Sequence, residues 1–311
     1  MALPNTSYDY LSSITQKYYI PKLVDNIFSS NVLLDRLRKG KAAKTYGGGT
    51  SIVQPLLYAK TTAAGSYSGA DTLNTTANDN KTAADFLMKM YYANITITRE
   101  DELKNSGDNT KVIDHVKTEV MIAEKTLADL IGDGIYSNGT NPKDITGLRV
   151  AVTGSGTTYG GISKTTYSWW RSQVDSTTTA LTIPALTAIF GDCVIGNDKP
   201  TIIITTQDQY DVYHGLLQTQ ERFSDTNTAD AGFENILFRN VPVTVDGKCP
   251  TGYLYLLNEK YIAFQTHKDE NFRFEPFTKP TNQNVSSAKI YWAGNLTCSN
   301  CRMQGVMTAL V

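Results

Sequence analysis

The feature that most limits how this chain can fold is a separator from Thr61 to Ala84, built almost wholly of Thr, Ala, Gly, Asn, Asp and Ser, between two strand-like runs, Ser51 to Lys60 and Asp85 to Thr98. A structureless connection of more than about 15 residues inside a compact domain either argues against the flanking elements or marks a functional loop. The second reading predicts an extended two-stranded ribbon. Arms of about a dozen residues would reach roughly 40 Å, more than one domain needs for itself. An isolated ribbon is marginal in water, so a long apolar one should pack on something, most simply on neighbouring copies of the chain. In the returning strand Phe86, Met88, Met90 and Tyr92 share one face, and Ile95 and Ile97 take the other parity. The face is expected to switch near Asn94, through a bulge or a change of packing environment.

The other segments read more conventionally. An amphipathic arm over Tyr8 to Lys44 carries Ile20, Leu23, Val24, Ile27 and Phe28 at helical spacing, then Leu33, Leu34 and Leu37. The basic residues Arg36, Arg38, Lys39, Lys41 and Lys44 that follow form either a solvated face or a partner-binding patch. Apolar residues from Val112 to Ile131 recur every three or four positions, which predicts a helix of roughly 30 Å, with Gly132 and Gly134 marking its end. A helical pattern near Ile183 to Ile195, a strand at Thr201 to Thr205 and a helix over Gln207 to Gln218 form an α/β lobe. From Ile236 onward the reading is mostly strand.

Composition narrows the function classes. Charged residues are 19%, below the roughly 25% of a typical soluble domain, as expected of a surface that other chains cover. A formal net charge of -1 provides no global basic footprint for nucleic acid. There is no signal-peptide pattern and no apolar run of spanning length, so synthesis in the cytosol and no membrane association are expected. Four cysteines are too few for a disulfide scaffold. Cys298 and Cys301 are half of a zinc-ribbon pattern with only Cys249 as a candidate third ligand; the alternative is a pair of ordinary thiols. Catalytic constellations are near misses. Gly156 and Gly161 stand at phosphate-loop spacing, but Ile162 occupies the lysine's place. Gly65 and Gly69 frame Tyr67 where a nucleophile elbow needs serine. Both stretches read as flexible loops. His115, His214 and His267 lie in different segments; Asp211 stands one turn before His214. No catalytic residue, metal or cofactor is expected.

The order of these segments resembles the Hong Kong 97 capsid fold of tailed-bacteriophage major capsid proteins. Local stretches look similar to that family too: Gly160-Gly161-Ile162 leading to Tyr167-Ser168-Trp169-Trp170, Gly232-Phe233-Glu234-Asn235-Ile236 leading to Val241-Pro242-Val243, and Gly294-Asn295-Leu296 with Arg302-Met303-Gln304-Gly305. The resemblance implies an α+β fold with an N-terminal arm (1–47), an extended β-hairpin loop (48–98), a peripheral domain with a long spine helix (99–164), an α/β axial domain (165–255) and a strand-rich return (256–311). It implies a non-enzymatic subunit that assembles with itself into hexamers and pentamers of an icosahedral shell around DNA, bound without sequence specificity. The shell would form in the bacterial host cytoplasm and reside in the virion. Obligate contacts of roughly 2,000 Å² or more are expected. The assembly contacts expected on segment roles are Ile27, Phe28, Leu56, Tyr58, Phe86, Met88, Met90 and Tyr92. The family's type member carries a long scaffolding segment before its arm, whereas here the arm starts near Met1, so a separate scaffolding protein is expected, beside a portal protein and a decoration protein. Lys60 lies on the loop where the type member cross-links a lysine, but no partner carboxylate can be placed. An encapsulin-like compartment of the same fold is the nearest rival; a hydrolase gathering Asp211, His214 and a nucleophile is a more distant one.

Overall fold

The computed structural model describes residues 31–40, 42–104, 109–177, 179–217, 236–281 and 283–311. Most of the N-terminal arm, with Ile27 and Phe28, lies outside them, as does the stretch from Gly232 to Asn235. Two sheets and one long helix organise the rest. The first sheet runs Ala43–Tyr46, Ile262–Thr278, Val285–Cys298 and Lys89–Thr98 in spatial order. Its two central strands form one antiparallel hairpin, whose longer arm would span roughly 55 Å at about 3.3 Å per residue. The long helix, Asn109–Ile135, lies against this sheet and buries Leu127, Ile131 and Ile135. It runs through Gly132 and Gly134 instead of ending at them. A Cβ on Gly134 would sit 2.7 Å from the Tyr91 hydroxyl and 3.3 Å from Ile145, so the glycine permits close approach and does not terminate the helix.

The second sheet has six strands in the order Gln173–Asp175, Gly305–Met307, Leu254–Leu257, Ile202–Thr205, Val241–Val245 and Ile236–Phe238. All of Ile202–Thr205 and Leu254–Leu257 is buried, as a central strand covered on both faces requires. Ile203, Leu254 and Leu256 face the core under the helices Ile183–Asp192 and Gln207–Leu217, while Ile202, Ile204, Tyr255 and Leu257 face the larger core that includes the long helix. Thr182 caps the first of those helices, its hydroxyl accepting from the Ala185 N–H at 3.4 Å, with Pro184 in the first turn. Strand Leu254–Leu257 runs across the expected 255/256 division, and Gly305–Met307 pairs beside it. Ladder pairing, not chain order, places both in this sheet.

The short helix Val32–Lys39 buries Leu33, Leu34 and Leu37. Its start is held by a residue far along the chain: the Leu33 N–H donates to the buried Asp246 carboxylate at 3.0 Å. The basic run beside it is partly absorbed. Arg36 makes a two-point contact with Glu259 (2.6 and 3.1 Å), and Arg38 lies 5.2 Å from the centre of the Phe272 ring.

Candidate assembly surface

Strands Ser51–Leu57 and Lys81–Leu87 pair as the expected ribbon, in the register Ile52 opposite Phe86 and Leu56 opposite Thr82. The arms are shorter than a dozen residues: the return strand begins at Lys81, inside the expected separator, and ends at Leu87 because Lys89–Thr98 pairs in the first sheet, while Tyr58 to Asn80 form a polar tip. The tip is internally bonded: the Tyr58 N–H donates to Asn80 O at 3.1 Å, the Tyr58 hydroxyl to Asp79 O at 2.7 Å, and the Thr62 hydroxyl to Asn78 Oδ1 at 2.5 Å.

Strand alternation gives the ribbon two faces. The inner face carries Ile52, Leu56, Ala84 and Phe86, all buried against the chain's own body. Its seat is a tight hairpin, Thr158–Tyr159 and Ile162–Ser163, turning at Gly160 and Gly161 with φ of 59° and 75°. That corrects the flexible loop expected here; paired glycines with positive φ make a turn of fixed shape. Phe86 packs edge-on to Tyr159 (5.0 Å between centroids), the Asp85 N–H donates to Gly160 O at 2.9 Å, and Tyr58 stacks on Trp169 at 5.3 Å. Beneath the seat, the buried Lys164 donates to Ala151 O and Thr153 O, and burial lowers its pKa.

Two expected contact residues are therefore corrected. Phe86, 2% exposed, and Leu56, also buried, have no surface to offer a neighbour because the seat covers them. Tyr58 is half-buried on Trp169, and Met88 is half-buried at the break between the two sheets. Met90 and Tyr92 are exposed, at 68% and 66%, on the open face of the first sheet, where Tyr291 stands opposite Tyr92. The face switch falls at Met88, not near Asn94: Phe86 is buried at even parity, then Ala93, Ile95 and Ile97 at odd parity. The cause is the move from one sheet to another. Missed altogether was the ribbon's outer face, where Val53, Leu57 and Leu87 are exposed, Leu57 to 72%. Sequence alternation reveals two apolar faces and cannot tell which one the body takes.

The chemical near misses stay apart. The Asp211 carboxylate accepts from Gln207 Nε2 at 2.7 Å, and His214 is half-buried on the same helix. His267 packs edge-on to Tyr46, its Nδ1 accepting from the Asp269 N–H. The His115 side chain lies outside the described ones. Cys298 and Cys301 are free and buried; a hydrogen bond from Cys301 holds Cys298 below the ordinary thiol range, while burial pushes Cys301 up. Cys249 bonds instead to the Pro250 and Tyr253 carbonyls. Among the described residues no group of three His, Cys, Asp or Glu side chains converges as a metal site, and no helix is long and apolar enough to cross a membrane.

No protein-family model matches the sequence, and no curated protein matches it by sequence. Solved structures do match in shape. The cyanophage A-1(L) capsid asymmetric unit aligns with a TM-score of 0.75 at 18% identity, covering 97% of this chain and 99% of that one. The capsid of a native GTA particle aligns at 0.67 and 10% identity, with 100% of both chains covered. The SrpI encapsulin of Synechococcus elongatus PCC 7942 aligns at 0.64 and 11% identity, covering 100% of this chain and 96% of that one. Full coverage of both partners, over two sheets, one long helix and an extended ribbon, establishes that this chain has the Hong Kong 97-like α+β capsid fold.

Proposed function

We propose that the chain is the major capsid subunit of a tailed bacteriophage and performs no catalytic turnover. One observation carries the reading: the ribbon's inner face is satisfied by its own body, whereas its outer face leaves Val53, Leu57 and Leu87 to solvent. Water-exposed apolar side chains on a two-stranded ribbon are stabilised by burial under another chain. The open sheet face with Met90 and Tyr92 is a different surface of the same chain, so ribbon-over-sheet contacts between successive copies are heterologous, and they form rings where the rotation between copies closes. Those rings are, in this reading, hexamers and pentamers. In this reading residues 1–47 are the arm, 48–98 the loop, 99–164 the peripheral domain and 165–255 the axial one, with 256–311 the strand-rich return. Ile27 and Phe28 of the arm clasp a neighbour. Assembly takes place in the host cytoplasm with a separate scaffolding protein, a portal and a decoration protein, and the shell encloses DNA without reading its sequence.

The encapsulin likeness supports a second reading, a protein compartment of the same fold. Co-expression with the scaffolding protein, followed by negative-stain microscopy and sedimentation, tests the shell directly. Uniform closed shells are expected from the parent, and folded but unassembled subunits from Leu57→Glu with Leu87→Glu. A strictly monomeric parent under every condition overturns the proposal. Nucleic acid inside the particles favours the capsid, and a protein cargo favours the compartment.

A further inference from the structure

The return strand of the ribbon passes directly into the first sheet. Leu87 ends that strand, Lys89 begins the strand that pairs in the first sheet, and the chain changes sheets at Met88. Against this joint stands Asn295, fully buried in the strand Val285–Cys298. Its Nδ2 donates to Leu87 O at 2.8 Å and to the Thr146 hydroxyl at 3.4 Å, while its Oδ1 accepts the N–H groups of Thr146 at 3.0 Å and Leu296 at 2.8 Å. A primary amide has two donor hydrogens and two acceptor lone pairs, so its whole capacity is used. The preceding Gly294 lets the adjacent strand and Trp292 pack closely: a Cβ there would lie 2.3 Å from Gln265 O and 2.7 Å from the Trp292 ring.

We propose that Asn295 is the positioning residue that fixes the angle at which the ribbon leaves the body, and through it the curvature of the assembled shell; the second half rests on the shell reading above. The contacts from Gly160, Tyr159 and Trp169 hold the ribbon along its length. Asn295 ties the carbonyl at the joint to both the sheet and the loop at Thr146. A buried amide with every bond made tolerates no rotation of Leu87, since any swing of the ribbon about Met88 strands a donor away from water. Ring closure depends on a repeated angle, so a loosened joint spreads the angles at which copies meet.

The test uses the full-length, unassembled chain with spin labels on cysteines placed at exposed Ser66 in the tip and Asp192 in the body, the native thiols being buried. Pulsed electron resonance reads the distance between them. Asn295→Ala is expected to shift and broaden the distance distribution, and Thr146→Val, which removes only the Thr146 hydroxyl, to do so less. Thr297→Val is the control: its buried hydroxyl donates to Ala263 O in the same sheet, so it should lower the unfolding midpoint without moving the distance. If Asn295→Ala and Thr146→Val behave like that control, the residue is merely structural and the proposal fails; should Asn295→Ala not fold, Thr146→Val decides. Shells of mixed size from Thr146→Val with scaffold extend the result to curvature, and shells of parental size and uniformity overturn that half. A parent that never closes shells sinks the shell reading and leaves the joint to the distance measurement.

Discussion

Phe86 separates two ways in which a ribbon residue can matter, in the subunit or between subunits. The Phe86→Ala change removes a ring that is 2% exposed, packed edge-on to Tyr159 at 5.0 Å and resting on Gly160. Truncating a buried Phe costs about 3–5 kcal/mol, including the cavity left behind, and loss of the aromatic pair lies within that total. The cavity should stay near its upper size. Gly160 has no side chain to move into it, and the tight turn at Gly160 and Gly161 resists collapse. Native stability is commonly about 5–15 kcal/mol, so the loss is a large fraction of what holds the subunit together. Urea denaturation of the unassembled chain, followed by tryptophan fluorescence because Trp169 and Trp170 pack around the seat, reads it directly. A midpoint unchanged from the parent, with assembly lost, would show Phe86 facing a neighbour and refute the inward packing.

Three further outcomes are expected. Gly160→Ala combines a positive φ of 59° with a Cβ placed 2.8 Å from the Ala84 side chain, so it should cost about 1–2 kcal/mol for the backbone and more for displacing the ribbon, measured by the same denaturation. Lys164→Met removes the ammonium from Ala151 O and Thr153 O, which keep the Ser172 hydroxyl at 3.2 Å and the Ser172 N–H at 3.0 Å as donors, so it should destabilise by only about 1 kcal/mol; a loss of about 3 kcal/mol would mean that the serine does not satisfy them. Burial holds the Asp246 carboxyl above its ordinary 3.8, despite the N–H donors of Leu33 and Lys248. The folded chain then binds that proton more readily than the unfolded one, and Asp246 loses stabilising effect as pH rises from 3.8 through its raised folded value. The stability of the parent minus that of Asp246→Asn should therefore fall as pH rises from 3.8 through that raised folded value. A difference that is flat or rises with pH contradicts the assignment.

Much of the architecture is written in local pattern. The three-to-four periodicity from Val112 to Ile131 specifies the long helix, Leu33, Leu34 and Leu37 specify the short one, and the polar separator between two alternating runs specifies the ribbon, because each signal depends only on residues a turn or a strand apart. The order of those segments was enough to indicate the shell-forming fold. Tertiary structure decided what local pattern leaves equal. Apolar residues stand on both ribbon faces, and the seat at Tyr159 and Gly160 determines that Ile52 and Phe86 turn inward while Leu57 and Leu87 stay outside. Gly132 and Gly134 look like a helix stop, yet the helix continues because Tyr91 and Ile145 need the space a side chain would fill. Asp246 capping a helix more than two hundred residues earlier and Asn295 bonding Leu87 across the chain have no sequence signature at all. Their partners become neighbours only when the sheets assemble, and a buried polar group takes its role from whichever donors and acceptors the finished fold sets around it.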